Sequence, residues 1–423
     1  MVLLILRLVR NEVRRQAPRR HGRDVGLFLA LGDKMFTYQR LVDTVDADVS
    51  AVSRDEVGHE FHDAYGRLCG RLSLEDMFTT DSVYAAAQRA SVGFRDKRDT
   101  ERFMRTPWAN SEELCTRVLD GRFVPRYYSA HVIRERGKER LIVPPMFECK
   151  VVQKVLCELL LRPLLTHRMI RTSYASVTGR GTDIMYADVL KALNHVMQSP
   201  RFDWRDYSVV MCDYRSYFAS IDVSILEERV FRRYVSDEHV IETLLSFFPE
   251  PVGLPIGSEV SQMPATFYPS PVDHAMKDRH GLPYFRYMDD TLAIVPCDCV
   301  AAYVDEYQGI SGDLHLSCPD EKIRVVPMGR CFSFCKERFR FIRHGDARYV
   351  REINPKRVST ERRKLARFEE MVRAGDMSVD DAVSQASGVI GSIRCHPRSR
   401  ADVVSLCELV ARIENANRRP CQR

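Results

Sequence analysis

The chain has only 2 tryptophans in 423 residues and no long apolar run. Its apolar opening, Met1-Val2-Leu3-Leu4-Ile5-Leu6, is closed by Arg7, whereas a membrane-spanning helix needs about 20 apolar residues. No membrane partner is expected. Charge follows that run instead of preceding it, so a secretory signal is not expected either. The 13 cysteines form no regular framework. The close pairs Cys297/Cys299 and Cys331/Cys335 lack a downstream Cys/His pair at zinc-finger spacing, and free thiols in a reducing cytoplasm are expected. Charge of one sign is scarce too, since 64 Lys+Arg against 58 Asp+Glu leave +6. There is no repeat of fixed period and no low-complexity linker. With 45% hydrophobic and 29% charged residues, disordered, collagen-like and coiled-coil classes are excluded, and the length accommodates two to three structural units.

The charge that is present is clustered. Arg7, Arg10, Arg14, Arg15, Arg19, Arg20 and Arg23 crowd one stretch, and Arg351, Lys356, Arg357, Arg362, Arg363, Lys364 and Arg367 crowd another. Such clusters suit a phosphate backbone, with a solvated helix face as the plain alternative. Residues 1–100 carry helix-like apolar spacing and no recognisable chemistry. Two apolar runs around the charged Arg134–Arg140 predict a hairpin ending at Pro145, and Val151–Leu165 predicts a helix. Strands are expected at Tyr207–Cys212, Pro283–Met288, Thr291–Val295, Phe332–Phe341 and Arg348–Ile353, the last two joined by His344-Gly345-Asp346. The rest is expected to be helical to about Asn415.

Two acidic sites stand out. Asp213 closes the apolar strand Val209-Val210-Met211-Cys212, and Asp289-Asp290 are expected to form the turn of an apolar hairpin. Carboxylates there are costly unless something positive binds them, and two divalent ions would both satisfy them and serve in-line phosphoryl transfer. Taken alone, the Asp-Asp pair reads first as an ordinary hairpin turn. Read with its neighbours, the sequence resembles the reverse transcriptase family. Tyr287-Met288-Asp289-Asp290 matches its YxDD signature, and Asp213 with Tyr217-Phe218-Ala219-Ser220-Ile221-Asp222 matches the preceding acidic motif. Between them, Gly253–Gln262 is similar to the glycine motif beneath the template and incoming nucleotide. Ser173–Thr182 resembles the Ser-Tyr-x-x-x-x-Gly-x-Gly-Thr stretch of prokaryotic members, where Arg180 is expected to meet a phosphate.

The resemblance covers about residues 125 to 400. It implies an α+β right-hand polymerase with an antiparallel-sheet palm, fingers and a helical thumb, plus a helical N-terminal extension. The expected divisions are 1–100 for the extension, 101–330 for fingers and palm, and 331–423 for the primer-grip hairpin and thumb. It further implies two Mg2+ ions, with Mn2+ as a substitute, on Asp213 and Asp289, with Asp290 supporting them. Deoxynucleoside triphosphates are the implied substrates. Lys138 and Arg140 would contact the triphosphate, and Lys322 would protonate the leaving pyrophosphate. Phe218 would clash with a ribose 2′-hydroxyl, and Ile256, Gly257 and Gln262 would lie beneath the nucleotide. Tyr217 or Phe218 merely packing in the palm, and surface roles for Lys138, Arg140 and Lys322, stay open.

Ile256 and Gln262 depart from the retroviral and intron pattern and resemble diversity-generating retroelement enzymes, whose copying is error-prone. The flanking regions look closer to uncharacterised and defence-associated bacterial enzymes. An RNA-directed DNA polymerase acting on a dedicated structured non-coding RNA in antiviral defence is the leading expectation. A diversity-generating enzyme and an inactive RNA-binding scaffold of the same fold are the alternatives. The stretch after the last hairpin leads us to expect no RNase H, His-Asn-His nuclease or zinc motif. An RNA template and a DNA product are the expected partners, and an accessory protein or a second copy of the chain is left open.

Overall fold

Apolar runs without polar alternation call for strands covered on both faces. Two such runs, at Tyr207–Cys212 and Asp290–Pro296, form the centre of a four-stranded sheet. The computed structural model describes residues 69–93, 97–135, 138–200, 203–343, 347–394 and 400–415. Most of the expected N-terminal extension, its arginine cluster and His344-Gly345-Asp346 lie outside those residues.

In chain order, helices α1 (Thr80–Ala90), α2 (Arg98–Arg105) and α3 (Pro107–Leu119) precede a hairpin of β1 (His131–Glu135) and β2 (Lys138–Ile142). Then come α4 (Phe147–Leu156), α5 (Thr182–Gln198), β3 (Tyr207–Cys212), α6 (Glu259–Phe267), β4 (Tyr284–Tyr287) and β5 (Asp290–Pro296). They are followed by α7 (Val300–Gly312), β6 (Ile323–Pro327), β7 (Phe332–Phe334), β8 (Glu337–Ile342) and β9 (Arg348–Ile353). Helices α8 (Pro355–Ala374), α9 (Val379–Arg394) and α10 (Arg400–Asn415) close the described chain. Helices and antiparallel sheets together make this an α+β protein. Among the described residues no helix is long and apolar enough to cross a membrane.

The chain divides into two units. The first comprises Met1–Gly181, Asp213–Gly281 and Val304–Lys322. Its β1–β2 hairpin runs further into the charged segment than the apolar pattern suggests, with the backbone of Arg134 in register with Glu139 and that of Glu135 with Lys138. Helix α4 continues through a π-helical turn at Cys157–Leu161 into Arg162–Thr166. Pro163 has no N–H to give to the preceding turn, and the Arg162 N–H instead reaches back to the Cys157 carbonyl. The helix thereby continues past a residue that ordinarily breaks one.

The second unit comprises Thr182–Cys212, Leu282–Tyr303 and Ile323–Arg423. Its main sheet has strand order β4-β5-β3-β6, antiparallel throughout. Strand β6 is a half-exposed edge that the sequence reading passed over. The run read as one strand over Phe332–Phe341 is two, β7 and β8, folded at Cys335-Lys336 into the sheet β7-β8-β9. Helices α8, α9 and α10 close over Leu365, Phe368, Ala386, Leu406 and Ile413. Helix α8 starts with Asn354 accepting the Lys356 N–H at 3.0 Å and Pro355 at its first position. It stops at Gly375, whose φ of 81° turns the chain out of the helix.

Candidate active site

One rung of the main sheet organises its acidic end. Arg286, Thr291, Cys212 and Ile323 lie side by side across β4, β5, β3 and β6. The next residues along those strands beyond the rung are Tyr287, Asp290, Asp213 and Lys322. Tyr287 and Asp290 belong to the second unit, and Asp213 and Lys322 stand at segment ends of the first. The Thr291 hydroxyl donates to the Cys212 carbonyl at 3.3 Å inside the protein, tying the two central strands together.

Because Tyr287 pairs with Asp290, Asp290 belongs to the strand and the turn is Met288-Asp289. Met288 has a left-handed φ of 55°. Arg286 is fully buried and its Nη1 donates to the Met288 carbonyl at 3.0 Å. Sequence reasoning missed this residue, although a charge inside an apolar strand was a signal.

Asp289 and Asp290 are half-buried. Cys335 Sγ donates to Asp290 Oδ2 at 3.7 Å. Burial, and then the charges of Asp290 and Asp289, hold the Cys335 thiol well above its usual range. Among the described residues no group of three or more His, Cys, Asp or Glu side chains is gathered as a ready metal cluster. A Mg2+ ion commonly takes only one or two carboxylates and completes its shell with water and substrate phosphates.

In the first unit, the Lys322 ammonium donates to Asp213 Oδ2, both groups half-buried. The Arg215 N–H donates to the Ser317 carbonyl at 2.8 Å, joining the segments that carry the pair. Tyr214 stacks between Tyr217 and Tyr307, with centroids 5.5 and 5.8 Å away. The Tyr217 hydroxyl donates to the Ala265 carbonyl on α6.

Phe218 is half-buried and stands edge-on to the Tyr217 ring. Its carbonyl accepts the Leu254 N–H at 2.8 Å, and the Gly253 N–H donates to Ile221 at 2.8 Å. The glycine motif therefore lies along the segment that carries the aromatic residue. On its other side, the Val143 N–H donates to the Ile256 carbonyl at 3.4 Å. Gly257 has φ 103°, and a Cβ there would stand 3.3 Å from the Ile142 side chain. Beyond it, the Glu259 N–H donates to Gln153 at 2.9 Å, and its carboxylate lies 3.3 Å from Lys154 and 3.4 Å from Arg162. The first unit thus brings together the hairpin's exit, Ile256, Gly257 and Phe218.

Other expected site residues fall differently. Arg140 is exposed on the hairpin opposite Ile133, and Gln262 is exposed on α6. The Lys138 backbone pairs with Glu135, but its side chain lies outside the described residues. Arg180 turns inward, donating from Nη1 to the carbonyls of Ile170 at 2.9 Å and Ser173 at 3.0 Å. Burial lowers its pKa, and a guanidinium bracing its own loop is not offered to a phosphate. In the second basic cluster, Arg351 and Arg357 lie against buried Glu337, whereas Lys356, Arg362, Arg363, Lys364 and Arg367 are exposed on α8. No protein-family model matches this chain, and no curated protein matches it.

Proposed function

We propose that the chain is an RNA-directed DNA polymerase of the right-hand type, with the four-stranded sheet as palm, the β1–β2 hairpin as part of the fingers and α8–α10 as thumb. The observation that carries this reading is the rung Arg286–Thr291–Cys212–Ile323, because the residues that follow it include Asp213, Asp290 and Lys322.

The proposed reaction joins a primer or protein hydroxyl oxygen to the α-phosphorus of a deoxynucleoside triphosphate, with pyrophosphate leaving. Asp213 and Asp289 would hold divalent ions, with Asp290 in support. When bound, such ions make the attacking hydroxyl more acidic and neutralise charge on the phosphates. Lys322 Nζ would hold the proton destined for the pyrophosphate oxygen. Phe218 excludes the ribose 2′-hydroxyl by contact. Arg140 meets the triphosphate from the hairpin, and the exposed cations of α8 follow the phosphate backbone of the template–product duplex. The template proposed is a structured RNA dedicated to this enzyme.

The test is incorporation of labelled dTTP by the purified protein on an oligo(dT)-primed poly(rA) template with Mg2+ or Mn2+. Incorporation that stops on adding a chelator is expected. No incorporation with either ion would contradict the reading.

A further inference from the structure

The turn that places a thiol against Asp290 is held in an unusual backbone conformation. Cys335 and Lys336 have φ of 44° and 79°, a region that non-glycine residues adopt reluctantly. Such a turn needs bracing from outside. Here the Tyr186 hydroxyl on α5 donates to the Cys335 carbonyl. The Arg351 guanidinium lies 4.3 Å from the Tyr186 ring centroid and donates to Asp183 at 3.0 Å. Arg351 also lies 3.6 Å from Glu337, and Arg357, in the first turn of α8, lies 3.1 Å from it. Glu337 is 2% exposed and pairs with Phe334 across the turn. Contacts within the second unit therefore run unbroken from the start of α8 to the Asp290 carboxylate.

We infer that Cys335 is a positioning residue for Asp290, and that Tyr186 holds Cys335 in place. The inference rests on the polymerase reading. A hydrogen bond to one carboxylate oxygen limits the carboxylate's rotation, and partners of metal-binding groups tune affinity in this way. The thiol is a weak donor, but burial strengthens it. A turn packed only for stability has no reason to aim its thiol at that carboxylate.

The test compares the parent protein with Cys335→Ala, Cys335→Ser, Tyr186→Phe and the double variant Cys335→Ala/Tyr186→Phe. Mn2+ binding to the substrate-free protein is measured by calorimetric titration, kcat and KM for nucleotide incorporation are measured separately, and thermal unfolding is recorded. Cys335→Ala and Tyr186→Phe should each weaken Mn2+ binding about tenfold, the lower end of what loss of such a partner costs. They should also lower kcat and leave the nucleotide KM unchanged. Cys335→Ser should recover most of the loss, and the double variant should be no worse than Cys335→Ala alone, since both act through one contact. Unchanged Mn2+ affinity in both single variants, no recovery with serine, or losses that multiply in the double variant would overturn the inference. If the parent binds no Mn2+ and incorporates nothing, the polymerase reading fails and this inference fails with it. If the parent does both and the variants match it, only the inference fails.

Discussion

Phe218 stands half-buried, edge-on to Tyr217, with its carbonyl fixed by Leu254 of the glycine motif. Tyr217 is the ring that packs, since it is buried and its hydroxyl bonds α6. On the proposed reading Phe218 meets the sugar, and replacing it with Ala should relax sugar selection. The expected gain in ribonucleotide incorporation relative to deoxynucleotide is about 10- to 200-fold, the range for adding or removing a steric contact in a pocket. The measurement is the ratio of kcat/KM values for rNTP and dNTP, and an unchanged ratio would refute the role. At this scale the sequence was most legible where an apolar run shows where a strand ends, as at Cys212 before Asp213. It was least legible where a residue's task is set by partners distant in the chain. Nothing local distinguishes Arg180, turned inward to Ile170 and Ser173, from an arginine offered to a phosphate. Likewise, Cys335 reads as one more free thiol until β7 and β8 fold it onto Asp290.

Among the elements, the short helix Val223–Leu226 depends on a single cap. Asp222 accepts from the Ser224 N–H at 2.8 Å, the Ile225 N–H at 3.2 Å and the Ser224 hydroxyl at 2.6 Å. Its carboxylate also bonds His315 at 2.9 Å. The hydroxyl of Ser224 first, followed by His315 and the two backbone amides, outweigh burial and lower its pKa from 3.8. A carboxyl lowered in the folded state stabilises fully above its unfolded pKa, and that stability is lost as pH falls through the folded value. Asp222→Ala should therefore cost about 1 kcal/mol at pH 7, the usual cost of removing an N-cap side chain. The gap to the parent should narrow below about pH 4, near the unfolded carboxylate value. Urea unfolding at both pH values checks this, and a gap that stays constant or widens in acid would contradict it. Element by element, Tyr207–Cys212 was readable to the residue because its apolar run fills both faces of a sheet. The Cys335-Lys336 turn was not, because no glycine, asparagine or proline marks it. The exposed edge strand Ile323–Pro327 lacks the apolar run that reveals a buried one.

Across the whole molecule, a net charge of +6 says little, and its placement says more. Five cations stand exposed on α8, while two neighbours in sequence, Arg351 and Arg357, are drawn onto buried Glu337. The cluster read from sequence was thus part surface and part scaffold, a division that only burial reveals. The strands at Tyr207–Cys212 and Thr291–Val295 and the helical end of the chain were foreseeable from apolar periodicity, whereas the α+β class came from the family resemblance and the fourth strand of the sheet, Ile323–Pro327, was missed. The assignment of the acidic strand ends to nucleotidyl transfer remains the central claim. It is tested most directly by primer extension on an RNA template with Mg2+, comparing the parent with Asp289→Ala and matching their thermal unfolding. The account predicts DNA synthesis by the parent and none by a variant that unfolds at the same temperature. Synthesis that survives in Asp289→Ala would contradict it.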